Sequence, residues 1–352
     1  VHDNSEDLNL SRKIFEDLPL KWTKAFNLTR NQHILIPFNW FYTINEFNGP
    51  SAGNCVEEAL SQGICEIVER HVSSMISQNH LRVPAIRANS VTDPLVREMI
   101  EKFKRAGINI FISDFSLDMG IPSVGVLAYD PSTFPERSEI VWTAGTTPDP
   151  EKALSRALTE VAQLAGDFDT ASKYVASGLP KLTRIKDAEF IINPGEKIDI
   201  HTLPELSNEN IKIEVENCIS ALAKKGMEVI VVDTTHSLLD IPAFYTIIPG
   251  AHFRERSLGT SVGMFSAKII TENQTPHVAI KELKKIERLL PTRYYIKFYL
   301  GSCHLALNDP ATALEYFTQS LELDPTEQDV PSIYSYMGVS FNEMGEYLKA
   351  LD

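Results

Sequence analysis

The sequence predicts an α+β protein in which a mixed sheet is covered by helices and is followed by an all-α repeat region. Over the first 270 residues, short runs of branched and aromatic residues alternate loosely with amphipathic helical stretches. Beyond that point the pattern is helical throughout, and small and aromatic residues recur at a fixed spacing. We therefore predict one domain at 1–270 and a helical repeat region at 271–352.

The overall composition restricts the classes of partner. The chain of 352 residues has a formal net charge of -14, which argues against nucleic acid and anionic membranes as partners. No stretch approaches the roughly 18 apolar residues of a membrane span. The four cysteines form no CxxC pair and no zinc-type cluster. We therefore expect reduced thiols, a cytoplasmic location and a small or proteinaceous substrate.

The elements near the N-terminus are predicted from local patterns. A helical stretch is expected at 10–26, and two short strands rich in branched and aromatic residues at 34–38 and 40–44. The segment 48–54 has turn chemistry and runs directly into a long helix at about 55–79.

The next helix has clear boundary signals, since Asp93 is a typical N-cap before Pro94 and Gly107 ends the helical pattern. The remaining predicted elements are strands at 108–113, 123–129, 139–144, 228–233 and 242–248, and helices at about 151–165 and 208–225.

The long helix at 55–79 carries three carboxylates on one side. At roughly 100° per residue, Glu69 lies about 20° and Glu66 about 80° from Glu58 around the axis, opposite the apolar residues. Like charges at this spacing repel one another, and carboxylate oxygens suit a hard divalent cation. We predict magnesium bound to a nucleotide; the alternative is a solvated acidic face on an ordinary amphipathic helix.

The helix at 151–165 carries a second polar stripe. Arg156, Glu160 and Gln163 lie within about 60° of one another. The planar guanidinium of arginine suits phosphate, and a neighbouring glutamate can hold the metal that bridges phosphate oxygens. The alternative interpretation is a surface Arg–Glu pair.

Familiar catalytic motifs are missing from the sequence, which contains no GxxxxGK[ST], GxGxxG or GxSxG pattern. Ser51 lies in Pro-Ser-Ala-Gly, and His71 and His236 are interpreted as structural residues. No catalytic residue is predicted.

Residues 294–325 match a tetratricopeptide repeat. Its small, aromatic and turn positions are Gly301, Ala306, Asp309, Ala311, Ala313, Tyr316, Phe317 and Pro325. A second copy begins at Ile333 and stops in mid-helix at Asp352. Such repeats cannot bury their faces alone, so we expect a protein partner or self-association there, and a longer parent protein.

Three ordered segments resemble the YcaO family. They read NGPSAGNCVEEALSQGICEIVER at 48–70, GTTPDPEKALSRALTEVAQ at 145–163 and IPAFYTIIPG at 241–250. The resemblance spans about residues 30–255. It is greatest for the enterobacterial-type subgroup, which also carries a tetratricopeptide-like C-terminal region.

The resemblance implies an ATP- and Mg²⁺-dependent fold in which carboxylates from different helices hold magnesium around the triphosphate. Carried over by motif, the cofactor-binding residues would be Ser51, Asn54, Arg70, Arg156 and Gln163, and the magnesium ligands Glu58, Glu66, Glu69 and Glu160.

The implied activity is ATP-dependent activation of peptide-backbone amides, giving an azoline or a thioamide, including assistance to ribosomal-protein modification. The alternative is a catalytically silent scaffold that binds proteins through its repeats. The family's Gly-Lys-Gly segment and first ExxER helix are absent from the sequence. Tyr245 replaces a frequent arginine, and His252 stands where azoline-forming relatives often have glutamate. We therefore expect this fragment to be inactive alone.

Overall fold

The computed structural model describes residues 8–16, 18, 20–45, 47–165, 179, 181–252, 261–327 and 329–351. The chain divides into an α/β unit, 23–36 with 47–256, and a helical unit, 1–22 with 37–46 and 257–352. Each compact unit therefore contains segments that are distant in sequence. The predicted domain boundary at residue 270 stays a prediction.

The strands are β1 (Trp22–Asn27), β2 (Gln32–Pro37), β3 (Pro50–Ala52), β4 (Ala85–Ile86), β5 (Asn109–Asp114), β6 (Ser123–Tyr129), β7 (Val141–Thr146), β8 (Lys197–Ile198), β9 (Ile230–Asp233) and β10 (Ala243–Ile247). The helices are α1 (Leu8–Glu16), α2 (Phe38–Asn45), α3 (Val56–Asn79), α4 (Pro94–Arg105), α5 (Pro150–Ala165), α6 (Glu189–Ile192), α7 (Ile211–Lys224), α8 (Val262–Asn273), α9 (Pro276–Leu289), α10 (Tyr294–Ala306), α11 (Pro310–Glu322), α12 (Val330–Glu343) and α13 (Tyr347–Leu351).

The strands form two five-stranded sheets, ordered β2-β1-β9-β10-β3 and β7-β6-β5-β4-β8. In the first sheet β9 pairs antiparallel with β1 and β10, and β10 with β3. The second is mixed, because β4 is antiparallel to β5 but parallel to β8. The predicted class, a mixed sheet with covering helices and a helical C-terminal region, is confirmed, with two sheets rather than one.

In the second sheet, β6 and β7 are buried on both faces. On one face Leu127 and Trp142 pack in a core with the apolar side of α3. On the other, Val126 and Val141 pack with residues of α4 and α5. Because α3 also contacts β3 and β10 of the first sheet, it lies at the centre of the α/β unit.

The boundary signals of α4 act as predicted. The Asp93 carboxylate accepts hydrogen bonds from the N–H groups of Leu95 at 2.7 Å and Val96 at 3.2 Å, and Pro94 begins the helix. Gly107 follows the helix with a φ of +77°, a left-handed conformation that glycine adopts at little cost.

Two local predictions near the N-terminus are wrong. Residues 22–26 belong to β1 rather than to a helix, because Phe26 pairs with Val231 across the first sheet. Residues 40–44 lie in α2 rather than in a strand, because Trp40 and Ile44, one helical turn apart, pack in the same apolar cluster as α8. The aromatic-rich composition indicated a strand, but the spacing of the buried residues is helical.

The tetratricopeptide-like segment forms the helix pair α10 and α11. A Cβ at Gly301 would lie 2.6 Å from the ring of Phe317, so only glycine allows the two helices this approach. The next helix, α12, packs against α11. No helix within the described residues is long and apolar enough to cross a membrane.

Candidate functional site

The first turn of α3 brings three of the predicted site residues together. The side chain of Cys55, the N-cap, makes no capping hydrogen bond. Instead, the Glu58 carboxylate accepts hydrogen bonds from the backbone N–H of Asn54 at 2.7 Å and from its side-chain Nδ2 at 2.9 Å. Ser51 Oγ donates to the carbonyl oxygen of Ala59 at 2.8 Å. These contacts fix the loop 51–54 against the helix N-terminus.

Further along α3, two glutamates share one arginine. Arg70 Nη1 donates to Glu69 Oε1 at 3.0 Å, and Arg70 Nη2 lies 3.7 Å from Glu66 Oε1. Backbone donors complete the cluster: the N–H of Gly49 lies 3.3 Å from Glu66 Oε2, and the N–H of Thr146, at the end of β7, bonds to Glu69. Three separate segments of the α/β unit therefore meet at this point.

Burial is the main influence on the pKa values of Glu66 and Glu69. Glu69 is only 5% exposed. Burial raises the pKa of Glu69 and of Glu66 above the ordinary value, and the positive charges of Arg70 and Arg156 oppose this rise without cancelling it. A buried carboxylate with incomplete compensation costs free energy of folding. Such groups concentrate at binding and catalytic sites.

The helix α5 supplies a second arginine to this region. Arg156 Nη1 donates to Gln62 Oε1 of α3 at 2.8 Å, and its charge acts on both Glu66 and Glu69. The approach of α5 to β7 depends on Gly145, where a Cβ would lie 2.3 Å from the Ala153 carbonyl oxygen.

The remaining predicted residues lie farther along their helices. Glu160 is half-buried and Gln163 is exposed, one and two turns beyond Arg156 on α5. Glu58 lies two turns before Glu66, about 12 Å along the axis of α3, and is bound to Asn54. The structure thus joins Glu66, Glu69, Arg70 and Arg156 in one cluster and places Ser51, Asn54 and Glu58 in another.

The donor set fits magnesium that is bound together with phosphate. Among the described residues, no group of three or more His, Cys, Asp or Glu side chains could hold a metal ion by itself. Magnesium in nucleotide sites is commonly held by one or two carboxylates plus phosphate oxygens, which Glu66 and Glu69 can supply. Arg70 Nε is buried and has no acceptor within the described part of the chain, so this arginine retains capacity for an anionic partner.

The two histidines interpreted as structural both have backbone partners. His71 Nδ1 accepts the N–H of His252 at 3.0 Å, and the two rings lie 5.2 Å apart. His236 Nδ1 accepts the N–H of Leu238 at 3.3 Å.

Sequence reasoning missed three contributors to the site. Gln62 lies about 40° from Glu58 around the axis of α3, within the acidic arc, so the helical spacing could have identified it. The N–H groups of Gly49 and Thr146 act through the backbone, for which no side-chain pattern exists.

Comparison with known proteins identifies the family. A family model described as YcaO cyclodehydratase, ATP- and Mg²⁺-binding, matches residues 2–252. The chain belongs to the YcaO family. A tetratricopeptide-repeat model matches residues 294–327. The predicted family and C-terminal repeat are confirmed, and the predicted cofactors, ATP and Mg²⁺, are those of the family description.

Two curated relatives and one solved structure illustrate the similarity. An uncharacterized protein of Methanothermobacter thermautotrophicus is 27% identical over 252 residues, which are 66% of this chain and 65% of the relative. The ribosomal protein S12 methylthiotransferase accessory factor YcaO of Escherichia coli is 34% identical over 137 residues, 39% of this chain and 23% of the relative. The structure of YcaO from Methanopyrus kandleri bound with AMPPCP and Mg²⁺ is 26% identical, with a TM-score of 0.55, and the match covers 65% of this chain and 64% of that one.

The chain spans just under two thirds of the length of the first curated relatives, 65% of one and 61% of another. The roles of the nine individual site residues stay predictions.

Proposed function

We propose that this protein uses ATP and Mg²⁺ to activate backbone amides of a peptide or protein substrate. The observation that carries the proposal is the convergence of Glu66, Glu69 and Arg70 of α3 with Arg156 of α5 in a YcaO-family domain. When bound, ATP would supply the phosphoryl group that turns the amide oxygen into a leaving group. The oxygen would take the phosphoryl group after or as a substrate cysteine or serine side chain adds to the amide carbon, and loss of phosphate would give an azoline. With delivered sulfur as the nucleophile, loss of phosphate would give a thioamide.

Each part of the cluster has a proposed role. Glu66 and Glu69 would hold magnesium through oxygens that are already oriented by backbone N–H groups. Arg70 and Arg156 would bind phosphate oxygens and neutralise charge as it develops. In the second cluster, Ser51 and Asn54 would contact the nucleotide at the start of α3, and Glu58 would hold magnesium there. Glu160 and Gln163 would complete the site from α5.

Calorimetric titration of the full chain with Mg-ATP tests the proposal. Wild type should bind, and Glu66→Ala combined with Glu69→Ala should weaken binding at least about tenfold, because two of the proposed magnesium ligands are lost. The matched control is Glu98→Ala with Glu101→Ala on α4, whose carboxylates pair with surface lysines. Absence of binding to wild type, or equal binding to the double variant, would contradict the proposal.

One observation favours a second candidate, a scaffold that binds proteins through its helical repeats. Large apolar side chains are exposed on the last two helices and at the C-cap between them, at Tyr334, Tyr336, Val339, Met344, Tyr347, Leu348 and Leu351. Under this alternative the region 271–352 would bind a protein partner or a second copy, and 1–270 would not turn over ATP. Phosphate release above background in the presence of a peptide substrate would exclude it.

The proposal also covers the cellular location and one candidate substrate. The four free cysteine thiols support a reducing, cytoplasmic setting. The name of the Escherichia coli relative makes a ribosomal protein one candidate substrate.

A further inference from the structure

The connection between β9 and β10 presents an apolar tip to solvent. Leu238 is 87% exposed, Leu239 67% and Ile241 52%. Isolated exposed apolar residues are ordinary on protein surfaces, but three within four residues form a patch, and such patches mark binding surfaces. We call residues 236–241 the hairpin tip.

The hairpin tip is held in one conformation by its own hydrogen bonds. The N–H groups of Leu239 and Asp240 both donate to the carbonyl oxygen of His236 at 3.0 Å, and the N–H of Ala243 donates to Thr235 Oγ1 at 3.1 Å. Asp240 has a φ of +52°, a left-handed conformation that aspartate tolerates better than most residues. The leucine side chains are therefore directed outward by an ordered turn, which lowers the entropy cost of binding a partner.

The hairpin tip lies beside the loop that enters α3. Pro242, the residue after the tip, accepts the N–H of Gly53 at 3.1 Å through its carbonyl oxygen, and Ala243 pairs with Ala52. Val56, at the start of α3, is a further exposed apolar residue. A partner held on the tip would consequently approach the proposed nucleotide site.

The two segments that carry the hairpin tip and the loop beside it are acidic in composition. These segments, 47–58 and 229–252, contain four carboxylates and no lysine or arginine. The carboxylates are Glu57, Glu58, Asp233 and Asp240. A negatively charged surface with exposed aliphatic side chains complements a partner that is positively charged and carries aliphatic groups.

We propose that the hairpin tip, with Glu57 and Asp240, docks a basic peptide segment that contains aliphatic side chains. This inference rests on the proposed function, since the docked segment would belong to the peptide whose backbone is modified. The leucines and Ile241 would contact the aliphatic side chains, and the carboxylates would attract the basic ones.

Fluorescence anisotropy with two short labelled peptides tests the docking surface on the full chain. One peptide repeats Lys-Leu-Gly and the other Glu-Leu-Gly. Wild type should bind the lysine peptide at least about tenfold more tightly than the glutamate peptide. Leu238→Ser with Leu239→Ser should weaken binding of the lysine peptide roughly tenfold, because the apolar anchors are lost.

A second variant changes charge alone. Asp240→Asn, which keeps a residue suited to the left-handed conformation, combined with Glu57→Gln should weaken binding about threefold and reduce its salt dependence. The matched control is Leu95→Ser on α4, a leucine that is 63% exposed. It should bind the lysine peptide like wild type.

Equal affinity for the two peptides, no binding of the lysine peptide, or an unchanged affinity in the leucine variant would overturn the inference. A change in sedimentation of the leucine variant without a change in peptide affinity would assign the tip to a contact between copies and would also overturn it. Parallel Mg-ATP titrations separate the two proposals. Docking that survives without any Mg-ATP binding contradicts the proposed function alone, whereas normal Mg-ATP binding without docking contradicts the inference alone.

Discussion

At the scale of single residues, the Glu69 carboxylate is expected to favour Mg-ATP binding but to lower the stability of the fold. Burial raises the pKa of its carboxyl above 4.5. Such a group favours folding below its unfolded pKa, and this contribution is lost as the pH rises through the folded pKa. At pH 7 the buried charge therefore destabilises the fold. We expect Glu69→Gln, which still accepts the N–H of Thr146, to raise Tm at pH 7 and to weaken Mg-ATP binding.

Calorimetry and titration of the same sample measure both effects. The control is Glu101→Gln, because Glu101 is exposed and its hydrogen bond from Lys104 lowers its pKa. Its replacement should not raise Tm. A lower Tm for Glu69→Gln at pH 7 would mean that the surrounding donors already compensate the charge.

The raised pKa values also predict how binding depends on pH. Protons and magnesium compete for the same carboxylate oxygens, and both Glu66 and Glu69 hold protons at a pH above their ordinary range. Mg-ATP affinity should therefore fall as the pH is lowered from neutrality, before an ordinary exposed carboxyl titrates. Titrations between about pH 7 and pH 5 measure this fall. Glu66→Gln with Glu69→Gln should flatten the profile, and an equally steep profile in that variant would assign the effect to other groups.

Gln62 is expected to position Arg156. Its side-chain oxygen accepts a hydrogen bond from the guanidinium at 2.8 Å, which holds the arginine over α3. Gln62→Met keeps the length of the side chain but removes the acceptor, and a lost hydrogen bond of ordinary strength predicts roughly 3- to 10-fold weaker Mg-ATP binding. Gln32→Met, at an exposed position of β2, is the control and should bind normally. A loss of Tm that parallels the loss of affinity would indicate a merely structural contact.

At the scale of elements, the approach of α3 to the first sheet depends on Gly63. A Cβ there would lie 2.2 Å from Thr246 Oγ1 of β10 and 2.8 Å from Ser51 Oγ of β3. Alanine favours a helix by about 1 kcal/mol over glycine, but these contacts force the helix away from the strands. We expect Gly63→Ala to lower the free energy of unfolding by roughly 1–3 kcal/mol.

Urea unfolding measures this loss, and Gly195→Ala provides the control because nothing lies within 4 Å of a Cβ at that position. If Gly63→Ala were as stable as wild type, α3 would not pack against β10 as described.

Local patterns sufficed for some elements and failed for others, for physical reasons. The apolar period of α3 and the Asp93 cap of α4 are short-range signals, so both helices were predicted to within one or two residues. The division into two sheets depends on pairings between distant segments, such as β4 with β8, where each strand has only two residues and leaves no pattern. For residues 40–44, the prediction followed the aromatic composition, which favours a strand, and not the helical spacing of Trp40 and Ile44, so α2 was predicted wrongly.

Contacts between distant segments also limited the prediction of the candidate site. Helical geometry predicted Glu66 and Glu69 on one side of α3, and in the structure both contact Arg70. It could not show that Arg156 of α5 reaches Gln62, since that contact joins residues 94 positions apart. Nor could it show that burial, rather than mutual repulsion, is the main cause of the raised pKa values.

At the scale of the whole molecule, α3 connects the features that matter for function. It contacts both sheets, carries the buried Glu69 and the half-buried Glu66, and begins beside the hairpin tip. A ligand that binds the glutamates therefore binds the central element of the α/β unit. Because that element is ordered only in the folded chain, ligand binding must add to the free energy of unfolding.

The size of that addition provides the last prediction. At a free Mg-ATP concentration of about 100 times Kd, mass action adds about 2.7 kcal/mol, which for a domain of this size corresponds to a rise in Tm of roughly 5–10 °C. Removal of magnesium with a chelator should abolish most of the shift in Tm. Without the cation, the negative charges of the ATP phosphates and of Glu66 and Glu69 would repel one another. Magnesium alone should shift Tm little, since two carboxylates without phosphate oxygens make an incomplete coordination sphere. A shift that persists with the chelator, or in Glu66→Ala with Glu69→Ala, would show that the nucleotide binds elsewhere on the chain.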